Sequence, residues 1–140
     1  MYHNNQVRAK KARSGYMKQI ASMRYRIKKT DHSKALRVSR EYLDYEQAHP
    51  EIFNYNRTRY YFRDAPANSN EEEWMFIDWF DDYQTYLNSL DSAQEEDPEA
   101  QRLRKQFMSV VVPGSLTHDS REQWTEAEEL RVDFPGTDLI

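Results

Sequence analysis

The chain has 140 residues, enough for one domain, and it is hydrophilic, with a mean hydropathy of −1.07 and 38% hydrophobic residues. It contains no cysteine, which excludes disulfide bonds, thiol catalysis and iron–sulfur ligation and suits an intracellular, reducing compartment. No apolar run approaches the roughly 20 residues that a membrane-spanning helix requires, so we expect no membrane span.

The charge is divided between the two halves of the chain. Residues 1–63 carry 15 Lys and Arg against 5 Asp and Glu, and residues 64–140 carry 5 against 19, although the net charge is only −4. Segregation of this kind indicates association, either of the two halves with each other or of each half with a separate partner. We therefore interpret the chain as an interaction protein.

The N-terminal third is predicted to be a basic arm followed by a helix. Residues 1–15 form the extended arm. Apolar residues then recur at spacings of four, three and four, at Tyr16, Ile20, Met23 and Ile27. This spacing places them on one face of an amphipathic helix. Basic segments that lack acids are also typical of mitochondrial transit peptides.

Two more helices are predicted before residue 64. Thr30 or Asp31 can cap a helix that should end before Pro50, because proline disfavours helical geometry in the residue preceding it. Pro50 then suits the first turn of a short third helix, in which aromatic residues alternate with arginines up to residue 63. Residues 64–70 are predicted to be a loop.

The strongest helical pattern covers residues 71–90. Ser69 or Asn70 can cap this helix, and three glutamates follow at the positive end of its dipole. Apolar residues recur at spacings of three and four, at Phe76, Trp79, Tyr83, Tyr86 and Leu90. The pattern predicts a central helix that buries Trp79 and Phe80 and turns Asp78 toward solvent.

The remaining residues are predicted to form an acidic helical extension. Pro98 can begin a helix, and a last helix is expected at about 120–131. Residues 110–112, at the end of the helix that begins at Pro98, can instead form a strand, but a single strand of three residues cannot form a sheet. The predicted fold is thus all-α, a small irregular bundle of four to six helices with an acidic C-terminal tail. It is one domain over residues 1–140, with an arm at 1–15, a helical core at 16–90 and an extension at 91–140.

No residue pattern indicates catalysis. None of the four histidines is spaced like a zinc-protease ligand pair, and the three glycines lie far apart, which excludes a dinucleotide fingerprint and a phosphate loop. We therefore expect no enzymatic activity, no catalytic residue, no metal, no cofactor and no small-molecule substrate.

The predicted binding residues are cations and aromatics. Cations and tyrosines interleave over residues 8–40, a composition that suits RNA phosphates and bases, although these cations can instead face acidic protein or the chain's own acidic half. Arginines between aromatic residues also suit protein hot spots. The candidate partner-binding residues are Arg24, Arg26, Lys28, Lys29, Arg57, Arg59, Tyr60, Tyr61, Trp79 and Tyr83.

The function expected from these features is that of a non-catalytic structural or accessory subunit. It would hold a larger multi-subunit assembly together through helix contacts and complementary charge, with other protein subunits as partners. Two alternatives stay open: an RNA-binding component of a ribonucleoprotein, and an acidic inhibitor that imitates nucleic acid. The mitochondrial matrix, a virion and a phage-infected cytoplasm are all compatible locations.

Overall fold

The computed structural model describes residues 19–136, which form an α+β protein rather than an all-α bundle. The arm at 1–15, Tyr16 and residues 137–140 lie outside the described residues. Four antiparallel strands form one sheet in the order β2-β3-β1-β4: β1 (Gln19–Lys28), β2 (Arg57–Asp64), β3 (Glu71–Phe80) and β4 (Arg121–Thr125). The helices are α1 (His32–Ala48), α2 (Tyr83–Glu96) and α3 (Pro98–Met108), with short 3₁₀ helices at Lys29–Asp31, His118–Ser120 and Glu128–Leu130.

The helix predicted around Ile20 and Ile27 is wrong, because this segment is strand β1. Its residues follow a period of two, with buried apolar side chains alternating with polar ones, at Ala21, Met23, Tyr25 and Ile27. Alternation over eight residues is the mark of a strand with one buried face. The spacing of three and four also fitted this segment because Met23 and Ile27 belong to both patterns, whereas Ile20 lies on the other face of the strand.

The predicted helix at 71–90 is also wrong in its first half, where β3 runs from Glu71 to Phe80. Large apolar side chains occupy both faces of this strand. A strand of this kind produces the same sequence pattern as a helix with one apolar face. Pairing with β1 on one side and β2 on the other decides for the strand. The second half of the predicted helix is real and belongs to α2, whose first turn is capped by the Asp82 carboxylate, which accepts the Thr85 N–H at 2.8 Å.

Two shorter predicted helices are replaced by strands. Residues 57–63, expected in a third helix, form β2 together with Asp64, and their aromatic and β-branched residues favour extended backbone. Residues 121–125, expected in the last helix, form β4 and pair with β1. A strand this short is stable here because a neighbouring strand already offers its hydrogen-bonding edge, which no local pattern records.

The structure confirms two predicted helices. Helix α1 ends at Ala48, before Pro50, and α3 begins at Pro98 as expected. Asp97 caps α3 by accepting the N–H groups of Glu99 and Ala100 at 3.0 and 3.3 Å. Within residues 19–136, no helix is long and apolar enough to cross a membrane.

The main core lies between one face of the sheet and the helices. Tyr25 and Trp74 from the central strands pack with Phe107 of α3 and Val38 of α1, and all four are at most 5% exposed. Helix α2 adds Tyr86, which packs on Phe80 and Ala21. Part of the expected acidic extension therefore belongs to the core through α3, and another part completes the sheet as β4.

Candidate functional site

Within residues 19–136, all three helices pack on one face of the sheet, and no helix of this part of the chain covers the other face. We call this other side the open face. Strand register assigns to it alternate residues of all four strands. They are Ile20, Ser22, Arg24, Arg26, Lys28, Arg57, Arg59, Tyr61, Arg63, Glu71, Glu73, Met75, Ile77, Trp79, Glu122 and Trp124.

One end of the open face is apolar and aromatic. Trp79 pairs across the sheet with Arg57 and Ile20, and Ile20 pairs in turn with Trp124. The Arg57 guanidinium lies over the Trp79 ring, 5.4 Å from its centroid, in cation–π geometry. Trp124 is 57% exposed, and Ile77 in the next row is only partly buried. Large apolar side chains are therefore presented to the surroundings.

The other end of the open face is charged. The Arg26 Nη1 lies 2.7 Å from the Glu71 Oε1, and the Arg63 Nε donates to the Glu73 Oε1 at 2.8 Å. A looser pair joins Arg24 to Glu122 across 3.6 Å. Each pair links the basic half of the chain to its acidic half, so part of the charge segregation is satisfied internally. Cations still outnumber carboxylates on this face.

Seven of the ten candidate partner-binding residues share the open face: Arg24, Arg26, Lys28, Arg57, Arg59, Tyr61 and Trp79. Tyr60 lies on the opposite face against Phe76, at a ring distance of 5.4 Å, and burial raises its pKa. Lys29 follows β1 and its Nζ lies 3.3 Å from Asp64. Tyr83 begins α2 and packs on Phe80.

Sequence reasoning missed Ile77, Met75 and Trp124 as members of this face. The signal that would have found the first two is the alternation within 71–80, where charged or large residues at odd positions share one side of a strand. Trp124 carries no comparable signal, because only its pairing with Ile20 places it there.

A buried acid lies on the helix-covered side of the sheet, contrary to the prediction that Asp78 faces solvent. Asp78 is 3% exposed, and its carboxylate accepts the Tyr86 hydroxyl at 2.7 Å and the Thr58 hydroxyl at 2.8 Å. Burial raises the pKa of Asp78 to about 6, while the two hydroxyl donors and the charge of Arg121 oppose that rise.

A second acid, Glu46 of α1, lies near Asp78. Burial raises its pKa well above the usual value, the negative charge of Asp78 adds to the rise, and a hydrogen bond from Tyr55 opposes it. Two carboxyl groups with raised pKa values therefore lie under the sheet. No cluster of three or more His, Asp or Glu that could hold a metal ion occurs in the part of the chain that the structure describes.

Comparison with known proteins bears on the fold. No protein-family model and no curated protein matches this chain. Among solved structures, a NIPSNAP family protein from Agrobacterium tumefaciens superposes with a TM-score of 0.57 at 16% identity, covering 79% of this chain and 87% of that one. The fold is ferredoxin-like.

A weaker likeness is to a dimeric ferredoxin-like protein of unknown function from Jannaschia sp., with a TM-score of 0.45, 16% identity, and coverage of 76% of this chain and 95% of that one. At 16% identity, the likeness to the NIPSNAP family protein concerns the fold alone. The function has to be argued from the residues of the open face and of the sheet–helix interior.

Proposed function

We propose that this chain is a structural or accessory subunit that binds a protein partner across the open face of its sheet. The observation that carries the proposal is the half-buried apolar patch formed by Ile77 and Trp79 at one end of this face, which Arg57 and Arg59 border. Interfaces concentrate their binding energy in Trp, Tyr and Arg side chains at the centre of the patch, with polar residues around them.

A protein partner fits this face better than RNA does. Glu71, Glu73 and Glu122 lie among the arginines, and three carboxylates would repel phosphates. The Arg57 guanidinium covers a face of the Trp79 ring, and a nucleic-acid base would need such a face for stacking. The partner expected from this chemistry offers apolar side chains at its centre and carboxylates for the remaining cations.

RNA binding is the second candidate, and two exposed rings support it. Trp124 is 57% exposed and Tyr61 is 49% exposed, both on a four-stranded sheet surface of the kind on which single-stranded bases can stack. The excess of cations on the open face would also attract RNA phosphates.

Replacing Ile77 with glutamate tests the proposal, with Leu36→Glu as the matched control. Ile77 lies on the inner strand β3, next to the apolar end of the open face, whereas Leu36 is 50% exposed on α1, on the other side of the sheet. A carboxylate at position 77 should weaken protein association by about tenfold or more, because it would be desolvated in the interface. The control should leave association unchanged.

Association is measured by sedimentation of the purified chain, which detects a second copy as partner, and by quantitative co-purification from a nuclease-treated extract. Circular dichroism checks that each variant is folded, and Trp124→Ala provides a milder change of the same face. Association that nuclease removes would contradict the proposal. Binding of a labelled single-stranded RNA at low salt, weakened by Arg59→Glu, would establish the second candidate instead.

A further inference from the structure

A cavity of about 210 Å³ lies between the sheet and the helices, on the side away from the open face. Apolar side chains form much of its wall: Met23, Phe76, Leu90 and Phe107. An engineered apolar cavity of about 150 Å³ is large enough to hold benzene. This cavity therefore has room for one aromatic ring with a small substituent.

Two arginines, Arg104 of α3 and Arg121 of β4, line the same cavity. The Nε atom of Arg121 is buried and has no hydrogen-bond partner among the described residues. Among the side chains that the structure describes, neither guanidinium lies within ion-pair distance of a carboxylate. A buried donor without a partner costs free energy, which an anionic group in the cavity would recover.

The acids at the cavity wall accept hydrogen bonds from hydroxyl groups. Both oxygens of Asp78 already accept hydroxyl donors, from Thr58 and Tyr86, and Glu46 accepts a hydrogen bond from Tyr55. Burial raises the pKa of both carboxyl groups, so each favours its neutral form more than an exposed acid does. The cavity thus combines two permanently charged guanidinium groups with two carboxyl groups that are protonated more readily than exposed acids. This arrangement favours an anionic ligand over a cationic one.

We propose that this cavity binds a small aromatic carboxylic acid of about the size of benzoate. The ligand carboxylate meets the guanidinium groups of Arg104 and Arg121, which can form charge-assisted hydrogen bonds with it. The ring packs against Phe76 and Phe107, and the hydroxyls of Tyr42 and Tyr60, which also line the cavity, can bond a hydroxyl substituent. An inorganic anion would leave the apolar wall uncovered.

This proposal departs from the sequence-based expectation that no small molecule is bound, and it is independent of the proposed function. The cavity and the open face lie on opposite sides of the sheet. A failure of one proposal therefore leaves the other standing, since the variants that test them change different surfaces.

Calorimetric titration of the full chain with benzoate, 4-hydroxybenzoate and benzamide tests the proposal. We expect both carboxylates to bind and benzamide, which has the same shape without the charge, to bind at least about tenfold more weakly. Arg121→Gln and Arg104→Gln should each weaken benzoate binding by about tenfold or more. Arg102→Gln is the matched control, because Arg102 lies on the same helix and pairs with Glu99 in solvent.

Leu90→Phe, which fills part of the cavity, should also weaken binding of all three compounds. The comparison of benzoate with benzamide on the unaltered chain does not depend on any variant folding. Absence of benzoate binding at about 10 mM, equal affinity for benzoate and benzamide, or unchanged affinity in a folded Arg121→Gln variant would each overturn the proposal.

Discussion

Truncation of Phe80 to alanine is expected to lower the free energy of unfolding by about 3–5 kcal/mol, whereas truncation of its neighbour Trp79 should cost about 1 kcal/mol. Phe80 is fully buried and its ring stacks on that of Tyr86, with centroids 4.4 Å apart. Removal of the Phe80 ring leaves a cavity that rigid neighbours cannot fill. Trp79 lies on the open face, and truncation there removes mainly its contact with Arg57.

Urea denaturation followed by circular dichroism measures both values. The contrast is sharp because a helix over 71–90 would bury both side chains, and both variants would then be strongly destabilised. Equal losses would therefore contradict the strand and its two faces. Leu36→Ala, at a position that is 50% exposed on α1, is the control for removal of a large side chain from the surface.

The second large effect concerns pH. Because burial raises the pKa of Asp78 from 3.8 to about 6, the folded chain holds a proton that the unfolded chain has released between these values. The contribution of Asp78 is thus most favourable below about pH 4 and is lost as pH rises through about 6. A difference of about two pKa units corresponds to about 3 kcal/mol.

The measurement compares the wild-type chain with Asp78→Asn from pH 4 to pH 8. The amide cannot ionise. The free energy of unfolding of the variant, relative to that of the wild type, should therefore increase by about 3 kcal/mol as pH rises from 4 to 8. Because the charge of Asp78 adds to the rise of the Glu46 pKa, the substitution also reduces the loss of stability that Glu46 causes as pH rises, which acts in the same direction. Asp44→Asn, which replaces an exposed carboxylate of α1 with the amide, is the control.

Local sequence was sufficient to predict a helix where the residues at its ends mark its start or its stop. Helix α3 begins at Pro98 because proline lacks the N–H that a first turn leaves unpaired, and Asp97 supplies the cap. Helix α1 ends before Pro50 for a similar local reason. The alternation in β1 was equally local, and giving it more weight than the spacing of three and four would have predicted that strand correctly.

The functional features depended on residues that are distant in sequence. The residue types of the open face were recognisable, since cations and aromatics at Arg57, Arg59 and Trp79 fit a binding surface. Their assembly with Arg24 and Trp124 was not, because it requires β3 and β4 to pair on either side of β1. The Asp78 environment likewise depends on Thr58 of β2 and Tyr86 of α2.

By itself, the sequence determined the division of charge, the absence of thiol chemistry and the positions of α1 and α3, because composition and helix ends are properties of short stretches of chain. Only the tertiary structure decided between helix and strand at 71–80, left Trp79 half-buried on the open face while burying Phe80, and placed Asp78 in the interior. The physical reason is that a strand obtains its hydrogen bonds from other segments, so its stability and the side to which each residue points are settled when the sheet assembles.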